Sequence, residues 1–366
     1  MTIKRKIILV TNGFYPEISP RSYRATELAK EFCRLGHKVT VISKFRDHNY
    51  SEFLTDWPLD LKMWGVSKFS GLPKSNNKVM SFIYRVISRV LSVLLEYPDI
   101  VDMFRVRRHL RVEDGYDLMI SFAVPYPVHW GVAWSRNKDH KIAKIWVADC
   151  GDPFMGDVID TFRKPFYFGY VEKWFCRKTD NISIPIESAK SAYYKEFHEK
   201  IKIIPQGFDF EIIEDKPVVN EIPSFAYAGS FIAGVRDPGQ FMQYLVSLNI
   251  SFRFFVFTNQ SELLDEFKDK LDGKLIVSNY IPREELMKVL NTMDFLVNFD
   301  NNTALNSPSK LIDYAITGRP VLNIEKAFNK EHLQEFLNGD YRNKMKLPDP
   351  ECYHIKSISN RFLSLL

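Results

Sequence analysis

The strongest constraint on what this chain can become is an alternation that runs along it twice: a short apolar or β-branched run, a stretch with helical spacing, then another apolar run. KIILV passes through the loop TNGFYPEISPRSY into RATELAKEFCRLG and on to HKVTVIS. Ala25, Leu28, Ala29, Phe32 and Leu35 keep the spacing of one helix face, Gly36 stops it, and Val39 to Ile42 read as a second strand. DLMISFAV, KIAKIWVADC and NISIPI continue the series, with helices predicted through VHWGVAW and over Phe168 to Lys178. At KIIPQGFD a strand runs into a proline and glycine turn, and the alternation then restarts. SFAYAGS, FRFFVFT, KLIVSNY, DFLVNF and PVL read as strands. Between them lie helices near Pro238 to Leu248, near Glu262 to Leu271, in PREELMKVLNTM and in SPSKLIDYAITG.

Successive β-α-β units bury their apolar faces as parallel sheets with helices on both sides. The expected fold class is therefore α/β, with two Rossmann-like, doubly wound parallel-sheet domains facing a cleft. Their bounds are residues 1–205 and 206–348, and the tail ECYHIKSISNRFLSLL predicts a helix within 349–366 that crosses back to the first domain. Ligands of such sheets bind at the carboxyl ends of the strands, which directs attention to Gly13, Asp149, Gly229 and Asn298.

Several function classes drop out. The first loop holds one glycine instead of the G-x-G-x-x-G fingerprint, so no nicotinamide or flavin cofactor is expected. Cys33, Cys150, Cys176 and Cys352 are scattered without metal-ligand spacing, which argues against a zinc site and a disulfide framework. The apolar run of MTIKRKIILVTNGF spans only Ile7 to Val10, with no small-residue cleavage site after it, so it reads as a first strand in a cytoplasmic protein. The net charge of +5 is uneven: residues 1–205 carry 33 Lys and Arg against 23 Asp and Glu, and the remainder 17 against 22. The basic half is expected to face something anionic.

The stretch NSPSKLIDYAITGRPVL puts its only lysine in the first turn of a helix, where the dipole repels cations. Ser307 fits the N-cap, Pro308 the first helical position, and Gly318 a left-handed stop. The N–H groups of Ser309 and Lys310 and the Lys310 ammonium would then converge on an anion, with phosphate the natural candidate. The alternative is an ordinary pair of Lys310 with Asp313, three residues on. Arg236, a few residues after Gly229 and Ser230, would complete a diphosphate clamp that can stabilise a leaving phosphate in place of a metal ion. Its alternative is a surface pair with Asp237 or Asp265. Asp149 and Asp152, at a strand end, are candidates to contact a reacting group, which under the family resemblance given next would be the sugar or acceptor, against simple turn capping in DCGDP.

These residues resemble glycosyltransferase family four, whose fold is GT-B. The likeness runs through VTNGFYPEISPRSYRATELAKEFCRLGHKVTVIS, WVADCGDPF, IIPQGFD, FAYAGSF with Arg236, NYIPREELMKVLNTMDFLV and SPSKLIDYAITGRPVL, in order along nearly the whole chain. The resemblance implies transfer of a sugar from a nucleotide diphosphate sugar with retained anomeric configuration and without a metal, so no cofactor is expected beyond the donor substrate. It implies that Arg236 and Lys310 hold the donor diphosphate, that Gly229, Ser230, Ser307 and Ser309 line it, and that Asp313 receives the ribose hydroxyls. The first acid of the family's pair, eight positions before Asp313, falls at Leu305, which leaves Asn301 or Asn306 to contact the sugar. The family's two first-loop glycines are also missing; Gly13 remains, and with Arg21 it is assigned to the sugar or acceptor side.

The segment 60–112 carries ten Lys and Arg against four acidic residues, and Arg85 and Arg89 fall one turn apart beside Phe82, Val86, Val90 and Val93. This predicts an amphipathic basic helix suited to the cytoplasmic membrane face, or an ordinary core helix with solvated arginines. No nucleic-acid motif accompanies the charge. The expected function is a glycosyltransferase of cell-surface polysaccharide or glycolipid synthesis, such as capsule or O-antigen, acting on a saccharide or lipid-diphosphate-linked acceptor. Its alternatives are a catalytically silent partner of a polysaccharide assembly complex and a sugar-nucleotide epimerase of the same fold.

Overall fold

The computed structural model describes residues 3–65, 78–156, 163–210, 219–232, 234–300, 309–325 and 328–366, with residues 78 and 309 described by their backbone. The chain divides into two units: one comprises residues up to Asp209 together with Tyr353–Leu366, and the other Phe210–Cys352.

Strand β1 (Lys6–Thr11) shows how the first unit is built, because its side chains alternate between two apolar layers. Ile7 and Leu9 enter one layer with Ala25, Leu28 and Phe32 of α1 (Pro20–Arg34), while Ile8 and Val10 enter the other. β2 (Lys38–Ser43), α2 (Ser51–Asp56) and β3 (Asp60–Met63) follow, then α3 (Lys78–Leu95), α4 (Ile100–Leu110), β4 (Tyr116–Ala123) and α5 (Pro127–Ser135). β5 (Ala143–Cys150), α6 (Tyr167–Lys178), β6 (Asn181–Ile184) and β7 (Ile201–Ile203) complete the sheet. All seven strands are parallel, in the order β3-β2-β1-β4-β5-β6-β7, so the order reverses between β1 and β4.

The second unit repeats the plan with β8 (Ser224–Ala228), α7 (Gly239–Ser247), β9 (Arg253–Phe257), α8 (Asp265–Lys268), β10 (Leu275–Ser278) and α9 (Arg283–Leu290). After them come β11 (Phe295–Phe299), α10 (Ser309–Thr317), β12 (Val321–Ile324) and α11 (Lys330–Leu337). Its parallel order is β10-β9-β8-β11-β12, with the reversal between β8 and β11. Phe225 and Tyr227 pack into an aromatic layer under α7 and α11, whereas Ala226 and Ala228 leave room on the other face for Tyr314 and Leu311 of α10. Gly318 ends α10 at φ +66°, the left-handed stop expected from its position.

The final helix, α12 (Ile355–Leu363), belongs to the first unit: Ile355, Ile358 and Phe362 are buried in the α1 layer. The division falls four residues beyond 205 because the first unit holds the connecting chain. Phe208 N–H donates to Tyr353 O at 2.9 Å, and Ile355 N–H donates to Phe208 O at 2.8 Å. A Cβ on Gly207 would lie 2.8 Å from Ile355 Cδ1 and 3.2 Å from Ile358 Cβ, so a larger residue would push the α12 side chains out of place.

One expected element differs: the helix near Glu262 to Leu271 is a 3₁₀ turn, Ser261–Leu264, followed by the four-residue α8. Within the basic segment 60–112, the stretch holding Phe82, Arg85, Val86, Arg89, Val90 and Val93 is the helix α3, with β3 before it and α4 after it; residues 66–77 lie outside those described. The cysteines are free thiols, with Cys150 and Cys176 buried.

Glu172 of α6 is a charge-bearing group inside this core, 1% exposed. Burial pushes its carboxyl up to about 7. The unfolded chain therefore binds fewer protons than the fold between the ordinary glutamate range and about pH 7, and stability falls as pH rises through that window. Glu172→Gln should be close to neutral at pH 5 and stabilising at pH 8, as checked by urea denaturation at both values.

Candidate active site

The reversal between β8 and β11 is where a doubly wound sheet opens a crevice for a ligand. Gly229 leaves β8 there. A Cβ on it would crowd Tyr227 Oη at 2.9 Å, while Lys310 Cδ lies at an ordinary contact distance of 3.6 Å, which places the lysine stem against the strand end. Tyr314 Oη ties α10 to both neighbouring strands: it accepts from Ala228 N–H at 2.9 Å and donates to Val297 O at 3.2 Å. This fixes the helix start, and with it Lys310, over the carboxyl ends of β8 and β11.

Lys310 Nζ lies 4.6 Å from the Tyr227 ring centroid, is buried, and has no hydrogen-bond partner among the described residues. Burial and the nearby charge of Arg236 lower its pKa from 10.5 to about 7, partly offset by Asp300. Arg236 comes from a tight turn in which Ile232 and Arg236 exchange backbone hydrogen bonds at 2.8 and 3.1 Å. Its Nε is likewise buried without a partner among the described residues. Neither proposed carboxylate takes it: Asp237 accepts from Gly234 and Gly239 N–H, and Asp265 pairs with Lys268. Lys310 at the amide end of a nine-residue helix and the nearby Arg236, with no carboxylate bound to either among the described residues, form a site whose free energy falls when a multiply charged anion enters.

Asp313 does not pair with Lys310. Its Oδ1 accepts from Arg283 Nε and Nη2 at 2.9 and 2.7 Å, because Arg283 opens the adjacent α9. Burial raises the Asp313 pKa, with Arg283 opposing. Ser230 Oγ meets Tyr280 Oη at 2.8 Å, and Tyr227 Oη donates to Ser230 O at 3.0 Å. Asn301, Leu305, Asn306, Ser307 and Pro308 lie outside the described residues, as does the side chain of Ser309. A cavity of about 540 Å³ in the same unit is lined by Val235 and Asp237, the sequence neighbours of Arg236, and by Asp300, Glu325, Phe299 and Phe328; neither Arg236 nor Lys310 is in its lining. Its carboxylates offer acceptors that a polyol could use.

In the first unit the structure separates the two acids that the sequence grouped. Asp149 is 1% exposed and fully engaged: Arg24 Nε donates at 2.6 Å, Arg24 Nη2 at 2.7 Å and Ser183 Oγ at 2.6 Å. Burial pushes its pKa up, but the arginines and Ser183 outweigh it and hold the carboxyl below its ordinary value. Asp149 is thus an internal tie and not a group available to a sugar. Asp152 is exposed, and its carbonyl accepts from Tyr126 Oη. Arg21 lies across Gly151, where a Cβ would meet its guanidinium at 2.0 Å, with Nη1 at 3.5 Å from Asp149. Gly13 and Arg21 line a second cavity, of about 300 Å³, after β1 and β2.

Residues missed in the sequence include Tyr227, Tyr280, Tyr314, Arg283 and Asp300. Tyr314 carried a readable signal, since it follows Lys310 by four residues on the same helix face. The others act across gaps in sequence that no local pattern spans.

No known protein family matches the sequence, and no curated protein does. Solved structures do. Over 99% of this chain and 100% of the other, it superposes on apo WaaB, a lipopolysaccharide outer core galactosyltransferase, with TM-score 0.57 and 10% identity. TarM gives TM-score 0.61 and 11% identity over 99% and 98% of the two chains. HepE from Anabaena, solved with UDP and glucose, gives 0.54 and 9% over 99% and 100%. Identities this low establish likeness of fold: the chain has the two Rossmann-like α/β domains of the GT-B glycosyltransferases.

Proposed function

We propose that this protein is a glycosyltransferase that takes a sugar from a nucleoside diphosphate sugar and passes it to a saccharide acceptor. The observation that carries the proposal is the buried ammonium of Lys310 at the start of α10, near Arg236 and without a hydrogen-bond partner among the described residues. Such a site is costly while empty and is relieved by a diphosphate. The complex of HepE with UDP and glucose, on the same fold, supports a nucleotide of this kind.

In this mechanism Arg236, Lys310 and the helix amides bind the diphosphate and strengthen their hold as negative charge grows on it during departure. The sugar becomes oxocarbenium-like, and the acceptor hydroxyl attacks the same face with a diphosphate oxygen taking its proton. Configuration is retained, no metal is required, and no enzyme nucleophile takes part. The acidic cavity lined by Asp237, Asp300 and Glu325 receives the sugar hydroxyls, a role the sequence had assigned to Asn301 or Asn306. The second unit serves the donor and the first the acceptor.

The acceptor is a glycolipid or lipid-linked saccharide of the cell surface, met at the cytoplasmic membrane face. Supporting this, α3 exposes Phe82 (60%), Val86 and Val90 in line, with Arg85 and Arg89 interleaved. This combination suits an interfacial helix. No helix of the described residues is long and apolar enough to cross a membrane.

The test is a thermal-shift screen against UDP, GDP, TDP and CMP, first without metal and then with it. A ligand at a hundred times its dissociation constant should stabilise the fold by about 2.7 kcal/mol. A shift with one diphosphate, independent of metal, names the base. Absence of any shift would favour the silent assembly partner.

A further inference from the structure

The first unit has its own strand-order reversal, between β1 and β4, and the 300 Å³ cavity opens there. Gly13 follows β1, Val124 follows β4, and Lys44 and Arg46 follow β2. The cavity lining carries Arg21, Lys44 and Arg46 against one carboxylate, Glu17. Glu17 is only loosely engaged, 3.5 Å from Arg46 Nε. Arg21 sits in the first turn of the fifteen-residue α1, which has no acidic residue there, and its partner Asp149 is already satisfied by Arg24. Lys44 also acts on Asp99 and Asp102 at the start of α4, whose carboxyls burial pushes up.

The backbone between the two β2-side cations is unusual. Phe45 is buried and takes φ +35°, a conformation that is strained for a residue with a Cβ. That turn brings both Lys44 and Arg46 to the cavity. The loop opposite is pinned: Thr11 Oγ1 donates to Gly13 O at 2.8 Å and Ser22 Oγ to Glu17 O at 2.7 Å. Strain of this kind persists where surrounding structure enforces it, and it collects at ligand sites.

We propose that this cavity binds a phosphate carried by the acceptor, with Arg46, Lys44 and Arg21 as its ligands. The inference rests on the glycosyltransferase reading for what the phosphate is attached to, but the site itself stands on these residues. It narrows the acceptor to a phosphorylated saccharide or a phosphate-bearing lipid headgroup.

The test uses full-length protein carrying Lys310→Ala, which removes the second unit's anion site. Hexose 6-phosphate is titrated and followed by phosphorus resonance broadening. Phosphatidic acid vesicles are titrated in parallel and followed by sedimentation. Arg46→Gln, whose parent side chain is 65% exposed and so not needed for folding, and Lys44→Gln/Arg46→Gln are compared with the background. The expected result is a rise of about tenfold or more in the dissociation constant, the worth of a lost charged hydrogen bond. Weakening in the soluble arm identifies a sugar phosphate, and weakening confined to vesicles identifies a lipid headgroup. Unchanged binding in both arms overturns the proposal. Failure of the donor reading would look different: no nucleotide shift in the parent protein, with phosphate binding here intact.

Discussion

Replacing Lys310 by Met is expected to cut the nucleoside diphosphate thermal shift to about half or less while making the free protein more stable. Methionine keeps the stem that packs beside Gly229 and Tyr227 and removes only the buried charge. Each lost charged hydrogen bond to the diphosphate costs about 1.5–3 kcal/mol, so affinity should fall by at least about tenfold. The gain in stability has the opposite origin. With the folded pKa near 7 and the unfolded value at 10.5, the unfolded chain binds more protons between those limits. The penalty is complete below about pH 7 and fades as pH rises toward 10.5, so parent stability climbs with pH across this window and that of the variant does not. The same linkage makes diphosphate binding take up protons above pH 7, measurable by calorimetry in buffers of different ionisation enthalpy. A diphosphate shift as large in Lys310→Met as in the parent would remove this lysine from the site.

The second large effect is on folding. Arg24→Met should destabilise the first unit by about 3–5 kcal/mol, because Asp149 is left as a buried charge held only by the Ser183 hydroxyl and the longer, 3.5 Å ion pair with Arg21. Arg24 also donates to the carbonyls of Ile204 and Pro205, so the chain leaving β7 loses its anchor. Asp149→Leu alone should be comparably damaging, through an unpaired Arg24. The double variant Arg24→Met/Asp149→Leu should recover much of the loss, since no charge remains buried. The contribution of Asp149 is present at neutral pH and disappears as pH falls through its lowered pKa, so acid should narrow the gap between parent and variant. Urea denaturation of the full chain measures all three, and a loss below about 1 kcal/mol for either single variant would rule out a stabilising tie.

The architecture was legible because strand and helix periods are local. Ile7 to Val10 reads as a strand buried on both faces, and Leu28 and Phe32 mark the face that covers it. The misplaced Lys310 was legible for a related reason: one residue contradicting the dipole of its own helix is visible without knowing the fold. Asp149 was not legible as a structural ion pair, since Arg24 lies 125 positions away on a helix whose buried face looked purely apolar. The partner of Asp313 was hidden similarly, with Arg283 thirty positions earlier. Lys44 and Arg46 drew no reading from the sequence, because what brings them to one cavity is the positive φ of Phe45 between them. The unit boundary slipped by four residues because a bridge between Phe208 and His354 leaves no trace in either segment alone.

That bridge has a consequence for how the protein is made. The second unit is spliced between β7 and α12, so the apolar face of α1 that receives Ile355, Ile358 and Phe362 waits uncovered while some 140 intervening residues leave the ribosome. The second unit has all its strands in one continuous stretch and can finish first, although it is synthesised later. Order of synthesis and order of completion are therefore reversed, and a ribosome that stalls before α12 would release a chain whose later half is sound and whose earlier half still invites aggregation or a chaperone.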